Sequence, residues 1–123
     1  YDIKRDNEYY DVIILSQAYH HAEFPLKLFH ECDRVLKKDG YILIVGEHII
    51  GFKHIIRRII KNIFKGKFSF DVFKEFYNHD SPLGDHNYTL NDYRFTFYSY
   101  GYDYKLLKSQ LRDSSVLVGK KNN

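Results

Sequence analysis

The chain has 123 residues, room for one hydrophobic core and not two. With 44% hydrophobic and 28% charged residues, its composition excludes collagen-like, coiled-coil and wholly disordered chains. Nineteen Lys and Arg against sixteen Asp and Glu leave a net charge of +3, too small to point to nucleic acid by itself.

Asp11 to Ser16 is a short continuous run of mostly β-branched residues, which predicts a strand buried on both faces in a parallel sheet. Pro25 suits a first helical turn, and Leu26, Phe29, Cys32, Val35 and Leu36 then share one face, with Lys27, Glu31, Asp33 and Arg34 mostly opposite. Lys37-Lys38-Asp39-Gly40 should end this helix, with Gly40 taking the left-handed conformation. Tyr41 to Val45 is the next buried strand, completing a right-handed βαβ unit. Its expected core is Val12 to Leu15, Leu26, Phe29, Val35, Leu36, Ile42 and Ile44.

From Ile49 to Phe64, the residues Ile49, Phe52, Ile55, Ile56, Ile59, Ile60, Ile63 and Phe64 form an apolar stripe opposed by Lys53, His54, Arg57, Arg58, Lys61 and Lys65, a basic amphipathic helix. Phe68 to Tyr77 continues as aromatic-rich, short helical structure, and His79 to Tyr88 is a loop containing Pro82 and Gly84. Thr89, with Asp92 three residues on, predicts a capped helix running to about Tyr100 and stopped by Gly101. Tyr102 to Gln110 and Ser115 to Val118 are then strands of a closing antiparallel hairpin, followed by a polar tail from Lys120.

The single cysteine, Cys32, rules out an internal disulfide framework and fits a reducing compartment, so the cytoplasm is the expected location and the helix core the expected place of that thiol. Neither a membrane-spanning run of about 18 apolar residues nor a signal peptide is visible. Met is absent and the chain opens at Tyr1 amid a strand-and-turn pattern, which predicts a piece of a longer protein.

Tyr10-Asp11-Val-Ile-Ile-Leu15, Tyr19-His20-His21, Pro25, Glu31, Arg34-Val35-Leu36-Lys37-Lys38-Asp39-Gly40, the strand Tyr41 to Val45 and Glu47 together resemble the class I S-adenosylmethionine-dependent methyltransferases, from their fourth to their fifth strand. Lys38-Asp39-Gly40 replaces the family's usual Pro-Gly-Gly, and the closing hairpin matches its sixth and seventh strands. The resemblance implies an α/β, Rossmann-like methyltransferase sheet, its carboxyl half, with core residues 1–48 and 85–119, a helical and aromatic lid at 49–84 and a tail at 120–123. It further implies methyl transfer from S-adenosylmethionine to a small-molecule, lipid-linked or sugar-linked acceptor, with Asp2, Ile3, Ser16, Gln17 and Ala18 at the cofactor. The family's glycine-rich turn and ribose-holding acidic residue have no counterpart here, so the 123 residues alone are expected to be inactive.

Ser16 to His21 follows the carboxyl end of a parallel strand, where open α/β sheets place ligands; the bland alternative is a solvent loop with incidental histidines. An imidazole with a pKa near 6.5 could remove a proton from the acceptor at neutral pH. His20, His21 and His86 are therefore the candidate catalytic residues, and Tyr19, Glu47, His48, Asp85 and Tyr88 the candidate substrate contacts. For the segment around Asp85 and His86 the alternative is ordinary loop and capping chemistry. No HExxH or paired-cysteine spacing argues for a metal. The basic stripe has three readings: a solvated lid face, which is favoured, an attractor of anionic substrates, or contact with a membrane surface. Its aromatic companions lack a glycine-aromatic RNA-binding signature. A non-catalytic module that docks an anionic partner through this helix is the alternative to the enzyme, and pairing with a second copy is open.

Overall fold

Tyr10–Ser16 forms β1, Pro25–Val35 α1, Leu36–Glu47 β2, Ile49–Ile50 β3, Phe52–Phe64 α2, Tyr88–Thr89 β4, Leu90–Ser99 α3, Tyr102–Lys108 β5 and Ser115–Lys121 β6. These elements come from a computed structural model, which describes residues 1–47, 49–65, 86, 88–108 and 115–122. The expected helix at Phe68 to Tyr77, most of the loop after it and the turn at Leu111 to Ser114 lie outside the described residues.

The main sheet has the order β1-β2-β6-β5. β1 and β2 are parallel, with Ile13 beside Ile42 and Leu15 beside Ile44, while β6 runs antiparallel to both β2 and β5. A second, two-stranded sheet pairs Ile49 with Tyr88 and Ile50 with Thr89, bringing the start of α3 beside the end of β2.

Phe29, Val35, Leu36, Ile42 and Ile44 are fully buried, as expected from their helical and alternating spacing, and Tyr93, Phe97, Tyr102 and Leu117 join them. Phe29 of α1 meets Phe97 of α3 edge-to-face at 5.3 Å and Tyr102 of β5 at 5.4 Å, so both helices pack into one core against the same face of the sheet. That one-sidedness corrects the expectation for β1: Ile13 and Leu15 turn toward the core, but Val12 is 48% and Ile14 62% exposed on the other face. Leu26 is likewise half exposed, because it lies in the first turn of α1, before Phe29 brings the helix over the core.

Three boundaries differ from the sequence reading. α1 ends at Val35 and the chain becomes extended at once, so Asp39 and not Gly40 takes the positive φ, 59°. Gly40 is needed for a different reason: a Cβ there would sit 2.8 Å from the Leu36 side chain and from the Lys37 carbonyl oxygen. Ile49 and Ile50 are recruited into β3 before α2 begins, since strand pairing with Tyr88 and Thr89 offers their backbone partners. Lys120 and Lys121 belong to β6, where Lys120 pairs with Asp39 at 2.8 Å and Lys121 with Asp33 at 3.2 Å.

Candidate active site

β1 and β2 end side by side, Ser16 beside Val45, and the Gln17 N–H donates to the Val45 carbonyl oxygen at 2.8 Å. Gln17 then takes a φ of 48°, turning the chain out of the sheet, and a tight turn with Ala22 N–H on the Tyr19 carbonyl (3.1 Å) folds the loop back over the end of β2. There it meets Glu47, the last residue of β2.

Glu47 is buried, and its carboxylate accepts four hydrogen bonds. The Tyr19 N–H donates to Oε1 at 3.1 Å; the His20 N–H (3.2 Å), His20 Nδ1 (2.7 Å) and the Tyr93 hydroxyl (3.0 Å) all converge on Oε2. A buried carboxylate is tolerable only when so satisfied. Because the acceptor is a carboxylate, Nδ1 of the His20 ring is assigned a hydrogen and donates it to Glu47.

α3 supplies the other wall. Its amino end is fixed by a capping box, the Asp92 carboxylate accepting from the Thr89 N–H and hydroxyl, both at 2.7 Å. Tyr93 and Thr96, one turn apart on the buried side, then face the loop: Thr96 Oγ1 lies 3.1 Å from the Tyr19 hydroxyl. The rings of Tyr19, Tyr88 and Tyr93 form a triangle with centroids 5.4–5.7 Å apart. Burial pushes the Tyr19 and Tyr93 phenols well above their ordinary range and Tyr88 up to about 12. All three are therefore neutral at physiological pH and do not act as bases there.

Of the residues expected from sequence, the fold gathers Tyr19, His20, His21, Glu47, His86 and Tyr88. The His21 ring is 4.0 Å from that of His20, and the His86 N–H donates to the His20 carbonyl at 2.9 Å. Ser16 and Gln17 are exposed at the rim, with Ala18 half-buried behind them. Asp2 and Ile3 are not brought into this cluster: Asp2 pairs with Lys4, while the Ile3 N–H donates to Glu31 and its carbonyl accepts from Arg34, both on α1. His48 and Asp85 lie outside the described residues. Sequence reasoning passed over Tyr93 and Thr96, whose signal was their spacing of three on a helix already marked by its cap.

Residues 1–44 match the sequence profile of the family described as the methyltransferase domain. Over almost the whole chain the fold superposes on the YcgJ protein of Bacillus subtilis, with a TM-score of 0.68 at 13% identity, covering 99% of this chain and 68% of that one. The chain has the class I methyltransferase fold. A SAM-dependent methyltransferase of Thermotoga maritima gives a TM-score of 0.61 at 16% identity, over 98% of this chain and 60% of that one. Human N-acetylserotonin methyltransferase, solved in complex with SAM, gives 0.58 at 15%, over 92% and 30%. The chain thus spans from 30% to 68% of the lengths of these structures. No curated protein matches the sequence. Within the methyltransferase fold the cluster around Glu47 occupies the carboxyl ends of two adjacent parallel strands, the side on which open α/β sheets take ligands.

Proposed function

We propose that the chain contributes the acceptor side of an S-adenosylmethionine-dependent methyl transfer, with His20 as general base and Glu47 as its positioning residue. The observation that carries this reading is the 2.7 Å bond between His20 Nδ1 and the buried Glu47 carboxylate, at the carboxyl ends of β1 and β2. A module that only docks a partner has no use for an imidazole oriented in this way.

The exposed Ser16 and Gln17 at the end of β1 fit one wall of a cofactor site, and the cofactor supplies a methyl group activated by a sulfonium. With the cofactor bound, His20 would take up the proton that an acceptor hydroxyl or amine gives up on methylation. Glu47, fixed by Tyr19, Tyr93 and the loop backbone, holds the ring in the tautomer able to do so and stabilises the cation that results. The acceptor class consistent with this is a small molecule or the head of a lipid or sugar conjugate.

The test uses the intact enzyme of which these residues are part, loaded with S-adenosylmethionine, and a panel of hydroxyl and amine acceptors. His20→Ala should lower turnover by about 10²–10⁴-fold while cofactor affinity, read by calorimetry, stays the same. An unchanged rate would remove His20 from the mechanism.

A further inference from the structure

Among the described residues, helix α2 leaves part of its apolar side open. Ile55 and Ile59 are half-buried, but Ile56, Ile60, Ile63 and Phe64 are 39%, 47%, 48% and 87% exposed. At about 100° per residue these four side chains fall within about 100° of arc. Lys53, Arg57, Lys61 and Lys65, all exposed, continue the same open side of the helix. Between residues 49 and 65 the sequence has five Lys and Arg and no Asp or Glu, whereas the rest of the chain has 14 Lys and Arg against 16 Asp and Glu. The net positive charge of the molecule therefore comes from this one segment, the remainder of the chain being slightly acidic.

A solvated lid face accounts for the cations but not for four exposed apolar side chains beside them. Nucleic acid would meet the charge and leave the apolar wedge with nothing to cover it. A second copy packed through the same face would cover the wedge while bringing two sets of cations together with no acid between them. An anionic bilayer surface satisfies both halves at once, taking the apolar wedge at the acyl boundary and the cations at the phosphates.

We propose that α2 is an interfacial helix that seats the protein on an anionic phospholipid surface through Ile56, Ile60, Ile63 and Phe64, with Lys53, Arg57 and Lys61 at headgroup level. The helix starts five residues after Glu47, and β3, between them, is paired to the entry of α3, so the docked surface adjoins the candidate site. The docking does not depend on the methyl-transfer reading.

Co-sedimentation of the 123-residue chain, without cofactor or acceptor, tests it on vesicles of phosphatidylcholine mixed with phosphatidylglycerol and on vesicles of phosphatidylcholine alone. The expected result is salt-sensitive binding to the mixed vesicles only. It should weaken by about tenfold or more in Ile60→Asp, and likewise in the double variant Arg57→Glu with Lys61→Glu. Both changes sit on exposed positions, and circular dichroism checks that the fold persists. Four results overturn the proposal: equal binding to neutral vesicles; no binding to either; binding indifferent to Ile60→Asp; or a dimer, dissolved by Ile60→Asp, that ignores vesicles. Any of these would leave the His20→Ala experiment as it stands, so the two readings fail separately.

Discussion

Glu47 shows what one side chain can do when its surroundings are built for it. Removing a carboxylate from water costs several kcal/mol, and only its bonded partners offset that. Glu47→Ala would leave the Tyr19 and His20 N–H groups and the Tyr93 hydroxyl without their acceptor. Urea denaturation should show a loss of about 3–5 kcal/mol, far more than an exposed glutamate would give. Glu31 illustrates the opposite case, a carboxylate near the surface. The Arg34 guanidinium bound to it, helped by the Ile3 N–H, holds its pKa at about 2 instead of 4.5. A depressed carboxylate contributes stability that is present above the unfolded value and is lost as pH falls through the folded one. The melting temperature should therefore drop more steeply between about pH 4.5 and 2 in the natural chain than in Glu31→Gln. His20 and Glu47 were each legible in the sequence, one after a β-branched run and the other at the end of the next. Their bond was not, because it joins residues 27 apart through a turn set by the positive φ of Gln17.

At the level of elements, local chemistry and tertiary packing divide the credit unevenly. The cap of α3 could be read from Thr89 and Asp92 alone, and its stop at Gly101 likewise, since that glycine has a φ of 74°. The end of α1 could not, because Leu36 leaves the helix to pair beside Tyr10 and sink into the core, an event governed by a strand elsewhere in sequence. β6 carries a further constraint invisible to pattern reading. A Cβ on Gly119 would lie 2.2 Å from Cε1 of Phe97, so the fully buried ring of α3 rests directly on the strand backbone. Gly119→Ala must push Phe97 off the sheet, and Phe97 is in edge contact with Phe29 across the core. The expected loss is about 1–3 kcal/mol on a denaturant curve, with unchanged slope. Phe29→Ala, which empties the centre of the same aromatic group, should cost about 3–5 kcal/mol.

The whole molecule is a sheet with α1 and α3 on one face and, among the described residues, no helix of the main sheet's core on the other. Along β1, β2 and β5 that second face presents Val12, Ile14, Tyr41 and Leu107, each at least 41% exposed, with Leu43 and Val45 half-buried between them. Register places them together: Val12 sits beside Tyr41, Ile14 beside Leu43, and Leu107 is reached through Val116 beside Val45. Among the described residues β1 is also an edge strand, with β2 as its only partner in the sheet. A contiguous apolar face bordered by an unpaired edge is a strong template for association. The 123-residue chain in solution should therefore sediment above monomer mass at micromolar concentration and bind a hydrophobic dye. Ile14→Lys places a charge at the centre of the β1 part of that face, beside the edge, without touching the core, since Ile13 and Leu15 carry the inward contacts. The variant should sediment as a monomer with reduced dye binding and an unaltered circular dichroism spectrum. If the natural chain is itself monomeric and takes up no dye, the face is not open in solution and the one-sided sheet is the wrong description of this molecule.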